Sequence, residues 1–140
     1  MKNIIRQILR EEFEYKQQLF DLLRSGDSDN LEMVKMISQG QDINILELLI
    51  DYLKQEGPSY FKILKHFDLS DGEIDYILYG IFGEPVRYSY DIIYDNKVIY
   101  NENGNVIYYE DSEGTWEKTE YDDYGKVIYY EDSYGNREYR

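Results

Sequence analysis

Two pairs of adjacent carboxylates are the residues best suited to chemistry: Glu110-Asp111 and Glu131-Asp132. Paired carboxylates can act as general acid and base when they share one site. Both pairs lie in runs of Tyr, Val and Ile that predict β-strands, in which adjacent side chains point to opposite faces. We therefore expect each pair to be divided between the two faces of a sheet, and we predict a protein that is not an enzyme.

The remaining motifs also favour structural roles. His66, the only histidine, lies in an apolar helical stretch and is expected to pack there. Asp27-Ser28-Asp29-Asn30 begins like a calcium loop, but Leu31 occupies the next ligand position. Gly80-Ile81-Phe82-Gly83 lacks the Lys and Ser or Thr that follow in a phosphate loop. We therefore predict no metal site and no cofactor.

Composition narrows the classes of partner. The 140 residues include 15 Lys and Arg against 29 Asp and Glu, which gives a net charge of −14. Direct binding to nucleic acid or anionic lipid is disfavoured, because both attract cations. The absence of cysteine excludes disulfides and cysteine nucleophiles. The apolar runs are too short for a membrane helix and the N-terminus is too polar for a signal peptide, so we expect a cytoplasmic protein.

The first 85 residues carry apolar side chains at helical spacing and predict a cluster of about five short helices. A stripe of Ile5, Leu9 and Phe13 runs along the first helix, which Gly26 closes. The predicted N-caps of the later helices are Asp29, Asn44, Ser59 and Ser70, three of them with the Glu of a capping box: Glu32, Glu47 and Glu73. Residues 1–85 are therefore expected to form a helical domain.

Residues 86–140 carry twelve of the 17 tyrosines and predict a second domain, an antiparallel β-meander. Residues 104–114 return as residues 125–135 around the shared run Val-Ile-Tyr-Tyr-Glu-Asp-Ser. Each copy has two strand-like runs and two turn signals, and so predicts one hairpin. The expected fold class is therefore α+β, with helices first and repeated hairpins second.

The predicted strands follow from the turn residues. The first repeat is expected to pair Val106–Asp111 with Thr115–Tyr121 across a turn at Ser112–Gly114. A further hairpin is expected upstream, with strands Ile92–Tyr94 and Lys97–Tyr100. Glycine at the turns supplies the positive φ that tight hairpins require.

The segment Tyr121-Asp122-Asp123-Tyr124-Gly125, followed by a strand, resembles the YD repeat of RHS-type proteins. The pattern is also similar to the Tyr- and Gly-rich hairpins of MORN repeats, which have a similar period. In the YD family many tandem copies build large shells, whereas this chain carries two degenerate copies. The resemblance therefore implies strand geometry and not a function.

The leading functional hypothesis is a non-enzymatic, acidic protein-binding module, because Tyr and Trp are enriched at binding hot spots. A sharper form is an inhibitor that mimics nucleic acid and occupies a basic site on its partner, as phage counter-defence proteins do. The alternatives are an assembly protein that self-associates through exposed strand edges and a carbohydrate-binding module. The predicted partner-binding residues are Tyr108, Tyr109, Glu110, Asp111, Trp116, Glu117, Tyr129, Tyr130, Glu131 and Asp132.

Overall fold

The computed structural model describes the backbone of residues 2–91 and 93–140 and the side chains of residues 14–91 and 93–140. In this part of the chain, five helices precede six strands, which confirms the α+β class. The helices are α1 (Lys2–Ser25), α2 (Ser28–Gly40), α3 (Ile45–Glu56), α4 (Tyr60–Leu64) and α5 (Asp71–Phe82). The strands are β1 (Arg87–Asp91), β2 (Asn96–Tyr100), β3 (Val106–Glu110), β4 (Trp116–Tyr121), β5 (Val127–Asp132) and β6 (Arg137–Tyr139). The predicted stripe of Ile5, Leu9 and Phe13 lies outside the described side chains.

Local cap chemistry sets most helix ends as expected. Ser70 and Glu73 form a complete capping box at the start of α5, and Gly83 ends that helix with a φ of +73°. The Asn44 side chain accepts hydrogen bonds from the backbone N–H groups of Leu46 and Glu47 at the start of α3. The predicted reciprocal bond from Glu47 is absent there, and the Glu47 carboxylate accepts from the Tyr76 hydroxyl instead. These caps satisfy N–H groups that have no partner inside the helix.

Two predicted caps are wrong. The N-cap of α2 is Asp27 rather than Asp29, and its side chain accepts from the Asp29 N–H at 2.9 Å. Ser59 precedes α4 but makes no side-chain cap there. Its hydroxyl donates instead to the carbonyl of Gly114, 55 residues later, at 2.8 Å. A long-range contact with the sheet has replaced the local one.

The six strands form one antiparallel sheet in sequence order, β1 to β6. The expected upstream hairpin is present, but the predicted strand Ile92–Tyr94 is wrong. The first strand is Arg87–Asp91, and it pairs with Asn96–Tyr100. Ile92 lies outside the described residues, while Ile93 and Tyr94 lie in the turn, where the Asp91 carboxylate accepts from both of their N–H groups.

The next four turns share one construction. Each begins with Asn101, Asp111, Asp122 or Asp132, whose side-chain oxygen accepts from the backbone N–H groups two and four residues later. Three residues after the first, a glycine takes a φ between +81° and +89°, as at Gly125. The N–H of this glycine also donates to the backbone carbonyl of the first residue of the turn, at 3.0–3.2 Å. The repeat therefore sets the position of each turn in the meander.

The helices and the sheet share one hydrophobic core. Its buried residues run from α1 through α5 and include Ile99 of β2 and Tyr108 of β3. The Tyr108 ring lies 4.8 Å from that of Tyr60 and 6.5 Å from those of Phe61 and Phe82. The change of composition near residue 85 thus separates two kinds of secondary structure around a common core. Among the described residues, no helix combines the length and apolar character needed to cross a membrane.

Candidate interaction surface

The pairing register divides the strand side chains between two sides of the sheet, because directly opposed residues share a face. Tyr108 is fully buried against the helices. Its partners Ile99 and Lys118 therefore lie on the same, helix-facing side. The opposite side, which carries Tyr109, Glu117, Tyr130, Asp132 and Glu138, is called the outer face below.

Two of the predicted partner-binding residues are core residues. Tyr108 has no exposed surface and Glu110 is 1% exposed, so neither can contact a partner. That part of the predicted site is wrong. Residues two apart in a strand share a face, so Glu110 lies with Tyr108 in the interface between the sheet and the helices.

Glu110 joins the sheet to α4. Its carboxylate accepts from the Tyr108 hydroxyl at 2.5 Å and from the backbone N–H of Phe61 at 3.2 Å. The Tyr108 oxygen in turn accepts from the Ser59 N–H at 2.9 Å. Burial raises the pKa of Glu110, although these hydrogen bonds favour the ionised form. Burial and the adjacent carboxylate both raise the pKa of Tyr108.

Three further predicted residues also lie on the helix-facing side. Trp116, opposite Glu110, is partly buried against the core. Tyr129 and Glu131 lie in β5, where the Tyr129 hydroxyl donates to Glu131 at 2.7 Å. That hydrogen bond is the main cause that raises the pKa of Tyr129 to about 12. Trp116 packs against the shared core and the Tyr129 ring lies 4.8 Å from that of Tyr139 on β6, so these residues do not form one surface with Tyr109 and Tyr130.

The outer face brings the other predicted residues together. Tyr109 of β3 lies opposite Glu117 of β4, and Glu117 lies opposite Asp132 of β5. Tyr130, two residues before Asp132, donates its hydroxyl to that carboxylate at 3.1 Å. Burial and this hydrogen bond raise the pKa of Tyr130 to about 12, so the ring stays uncharged at neutral pH. Two aromatic rings and two carboxylates thus occupy neighbouring positions on three strands.

The aspartates of the predicted site also build turns. Asp111 starts the turn between β3 and β4, and Asp132 starts the turn between β5 and β6. Asp132 is 9% exposed, and its oxygens accept from the Tyr134 N–H and from both the backbone N–H and the side-chain amide of Asn136. These hydrogen bonds, the amide of Asn136 foremost, lower the pKa of Asp132. Asp132 therefore contributes a fixed negative charge.

Charge is segregated across strands β2 to β6, whereas Arg87 of β1, opposite Tyr100, lies on the outer face at the edge of the sheet. In strands β2 to β6, whose residues are all described, the basic side chains are Lys97, Lys118 and Arg137. All three lie on the helix-facing side, opposite Glu110 or Glu131. Over the same strands, the outer face carries three carboxylates and neither Lys nor Arg: Glu117, Asp132 and Glu138. Arg140, which follows β6, forms an ion pair with Glu138 at 3.1 Å.

Glu138 is the residue of this surface that the sequence interpretation omitted. It lies opposite Tyr130, just as Glu117 lies opposite Tyr109. Glu138 follows Glu117 by 21 residues, the period of the repeat, and this spacing is the signal that could have identified it.

Among the described residues, no group of three or more His, Cys, Asp or Glu side chains could hold a metal ion. Comparisons with protein-family models, with curated proteins and with solved structures find no match.

Proposed function

We propose that this protein is an acidic binding module that recognises a basic surface on another protein. The observation that carries the proposal is the charge segregation of strands β2 to β6. On the outer face of these strands Glu117 and Asp132 form no ion pair within the described residues, and Glu138 pairs with Arg140. The basic residues of β2 to β6 lie on the other side, opposite Glu110 or Glu131. A surface of one sign attracts a partner of the opposite sign and accelerates association.

The aromatic rings of the outer face favour a protein as the partner. Tyr109 and Tyr130 are partly exposed and sit beside Glu117 on a regular strand scaffold. Tyrosine provides a large contact area at small entropic cost, which is why it is enriched at protein interfaces. Strands hold these side chains in fixed positions, so less conformational entropy is lost on binding.

Mimicry of nucleic acid is the sharper form of the proposal. The net charge of −14 and the directly opposed carboxylates of Glu117 and Asp132 support a partner whose basic site ordinarily meets phosphates. A partner of that kind would bind this protein and nucleic acid competitively. The general proposal requires only a basic partner, whereas the mimic requires this competition.

Affinity capture from the source cells at two salt concentrations tests the proposal. The immobilised protein is expected to retain a protein of high isoelectric point at about 50 mM NaCl and to release it at about 500 mM, because salt screens exposed charges. Release by duplex DNA at constant ionic strength supports the mimic. A partner retained equally at both salt concentrations would contradict the electrostatic basis of the proposal.

A further inference from the structure

One cross-strand pair of the outer face is unfavourable for stability. Glu117 and Asp132 are directly opposed on β4 and β5, and like charges in this position destabilise a sheet. No ion pair joins either carboxylate to a basic residue in the described part of the chain. A cation bound from outside the chain would relieve this repulsion.

The two carboxylates differ in their capacity to bind such a cation. Both oxygens of Asp132 already accept hydrogen bonds, two from backbone N–H groups, one from the Tyr130 hydroxyl and one from the amide of Asn136. Glu117 is exposed and extends from the middle of the sheet. Glu117 is therefore the acceptor, and Asp132 strengthens the local negative potential.

Aromatic rings flank this acceptor on both neighbouring strands. Tyr109 is the direct cross-strand neighbour of Glu117 on β3, while Tyr130 lies diagonal to it on β5, next to Asp132. Cations bind favourably over the face of a tyrosine ring, and a planar guanidinium can stack there while it donates to a carboxylate. Lysine has a compact, strongly hydrated charge and gains less from such a platform.

We propose that Glu117, between Tyr109 and Tyr130, is the binding site for an arginine side chain of the partner. This inference rests on the proposed function, since it specifies which residue of a basic partner the outer face recognises. The guanidinium donates to the Glu117 carboxylate and lies against the tyrosine rings, and its charge offsets the repulsion between Glu117 and Asp132.

Two alternatives, a metal ion bound at the same carboxylates and a cation site at the start of α5, are less favourable. A bound Ca²⁺ needs six to eight oxygen ligands, whereas Asp132 has no acceptor capacity left and Glu117 supplies two oxygens. The carboxylates at the start of α5 already have partners in the chain. Asp71 accepts from the Tyr88 hydroxyl at 2.7 Å, and Glu73 belongs to the capping box.

Octa-arginine and octa-lysine peptides are the probes, because they carry equal charge and differ in the cation. Their dissociation constants are measured by fluorescence anisotropy at about 50 and about 150 mM NaCl. Wild-type protein is expected to bind octa-arginine about threefold more tightly than octa-lysine. Glu117→Gln should weaken octa-arginine binding about fivefold and remove the preference.

Glu120→Gln is the matched control. Glu120 is exposed on the same strand but lies on the helix-facing side, opposite Tyr129. The control should leave both dissociation constants within about twofold of wild type. Tyr109→Leu should reduce the arginine preference and leave octa-lysine binding nearly unchanged, because the ring and not a charge is removed.

Three outcomes would overturn the inference. Equal, salt-sensitive binding of both peptides, with Glu117→Gln and Glu120→Gln equivalent, refutes the arginine site while the proposed function stands. Displacement of octa-arginine by millimolar CaCl₂ at constant ionic strength identifies a metal-ion site instead. Absence of binding by either peptide at about 50 mM NaCl removes the arginine site and the proposed function together.

Discussion

Replacement of Glu110 tests how the sheet is attached to the helices. Glu110→Ala removes the acceptor for the Tyr108 hydroxyl and for the Phe61 N–H, both in the buried interface. An unsatisfied buried donor costs about 1–3 kcal/mol, so with two such donors the alanine variant should lose about 2–6 kcal/mol of unfolding free energy. Glu110→Gln keeps the volume and one acceptor oxygen without the buried charge, and should lose at least about 1 kcal/mol less than alanine.

The pH dependence of this pair gives an independent check. The pKa of Glu110 is raised in the folded state, so the protonated form favours folding. Its contribution to stability is fully present below the pKa of an unfolded glutamate and is lost as the pH rises through the folded-state pKa. The stability of wild type minus that of Glu110→Gln should therefore decrease as the pH rises across this interval.

Urea unfolding followed by far-ultraviolet circular dichroism measures both effects. The slope of free energy against urea should be the same for all three proteins, so that midpoints can be compared. If Glu110→Ala costs less than about 1 kcal/mol, the inferred role of this carboxylate in joining the sheet to α4 is wrong. A stability difference from the Gln variant that increases with pH would contradict the burial argument.

The remaining predictions concern the turns. Gly125→Ala should lower the free energy of unfolding by about 1–2 kcal/mol, because φ at this position is +81°. Gly72→Ala, in the open first turn of α5, is the control and should be neutral or stabilising by up to about 1 kcal/mol. Thermal unfolding compares the two variants. Asp122→Asn should cost under about 0.5 kcal/mol, since Asn101 builds the equivalent turn, but Asp122→Ala about 1–2 kcal/mol, as read from urea midpoints. Folding lowers the pKa of Asp132, so the contribution of this carboxylate to stability is present above the pKa of an unfolded aspartate and is lost as the pH falls through its folded-state pKa. The urea midpoint of Asp132→Asn should therefore be less sensitive to acid than that of wild type.

Local chemistry made several elements predictable from the sequence. Ser70 and Glu73 bond each other's backbone within one helical turn, and no distant residue is needed to form this cap. The hairpin turns are equally local, because one Asn or Asp and one Gly satisfy most of their hydrogen bonds. The expectation that Glu110 and Asp111 would not share a site follows from strand alternation alone.

The errors arose where a distant contact decided the outcome. Alternation places Tyr108 and Tyr109 on different faces, but it does not indicate which face packs on the helices. That choice depends on Ser59 and Phe61 of the α4 region, about 50 residues earlier in the chain. The buried position of Glu110, with its carboxylate beside the first turn of α4, therefore had no signal in the strand itself.

The position of the first strand does have a signal in the sequence. Val86-Arg87-Tyr88-Ser89-Tyr90-Asp91 repeats the spacing of Val, Tyr and Asp found at residues 106–111 and 127–132. In all three segments the aspartate ends the strand and accepts backbone hydrogen bonds in the following turn. The meander therefore contains three related hairpins where the sequence interpretation recognised two repeats and an unrelated hairpin. Resemblance to the YD repeat stays a prediction.

Mapping the bound surface by nuclear magnetic resonance is the most direct test of the outer face as the binding surface. In a titration of ¹⁵N-labelled protein with octa-arginine, the account predicts the largest amide shift changes at Tyr109, Glu117 and Tyr130. Shift changes concentrated instead around Asp71 and Asp75 of α5, with those three amides unaffected, would contradict it.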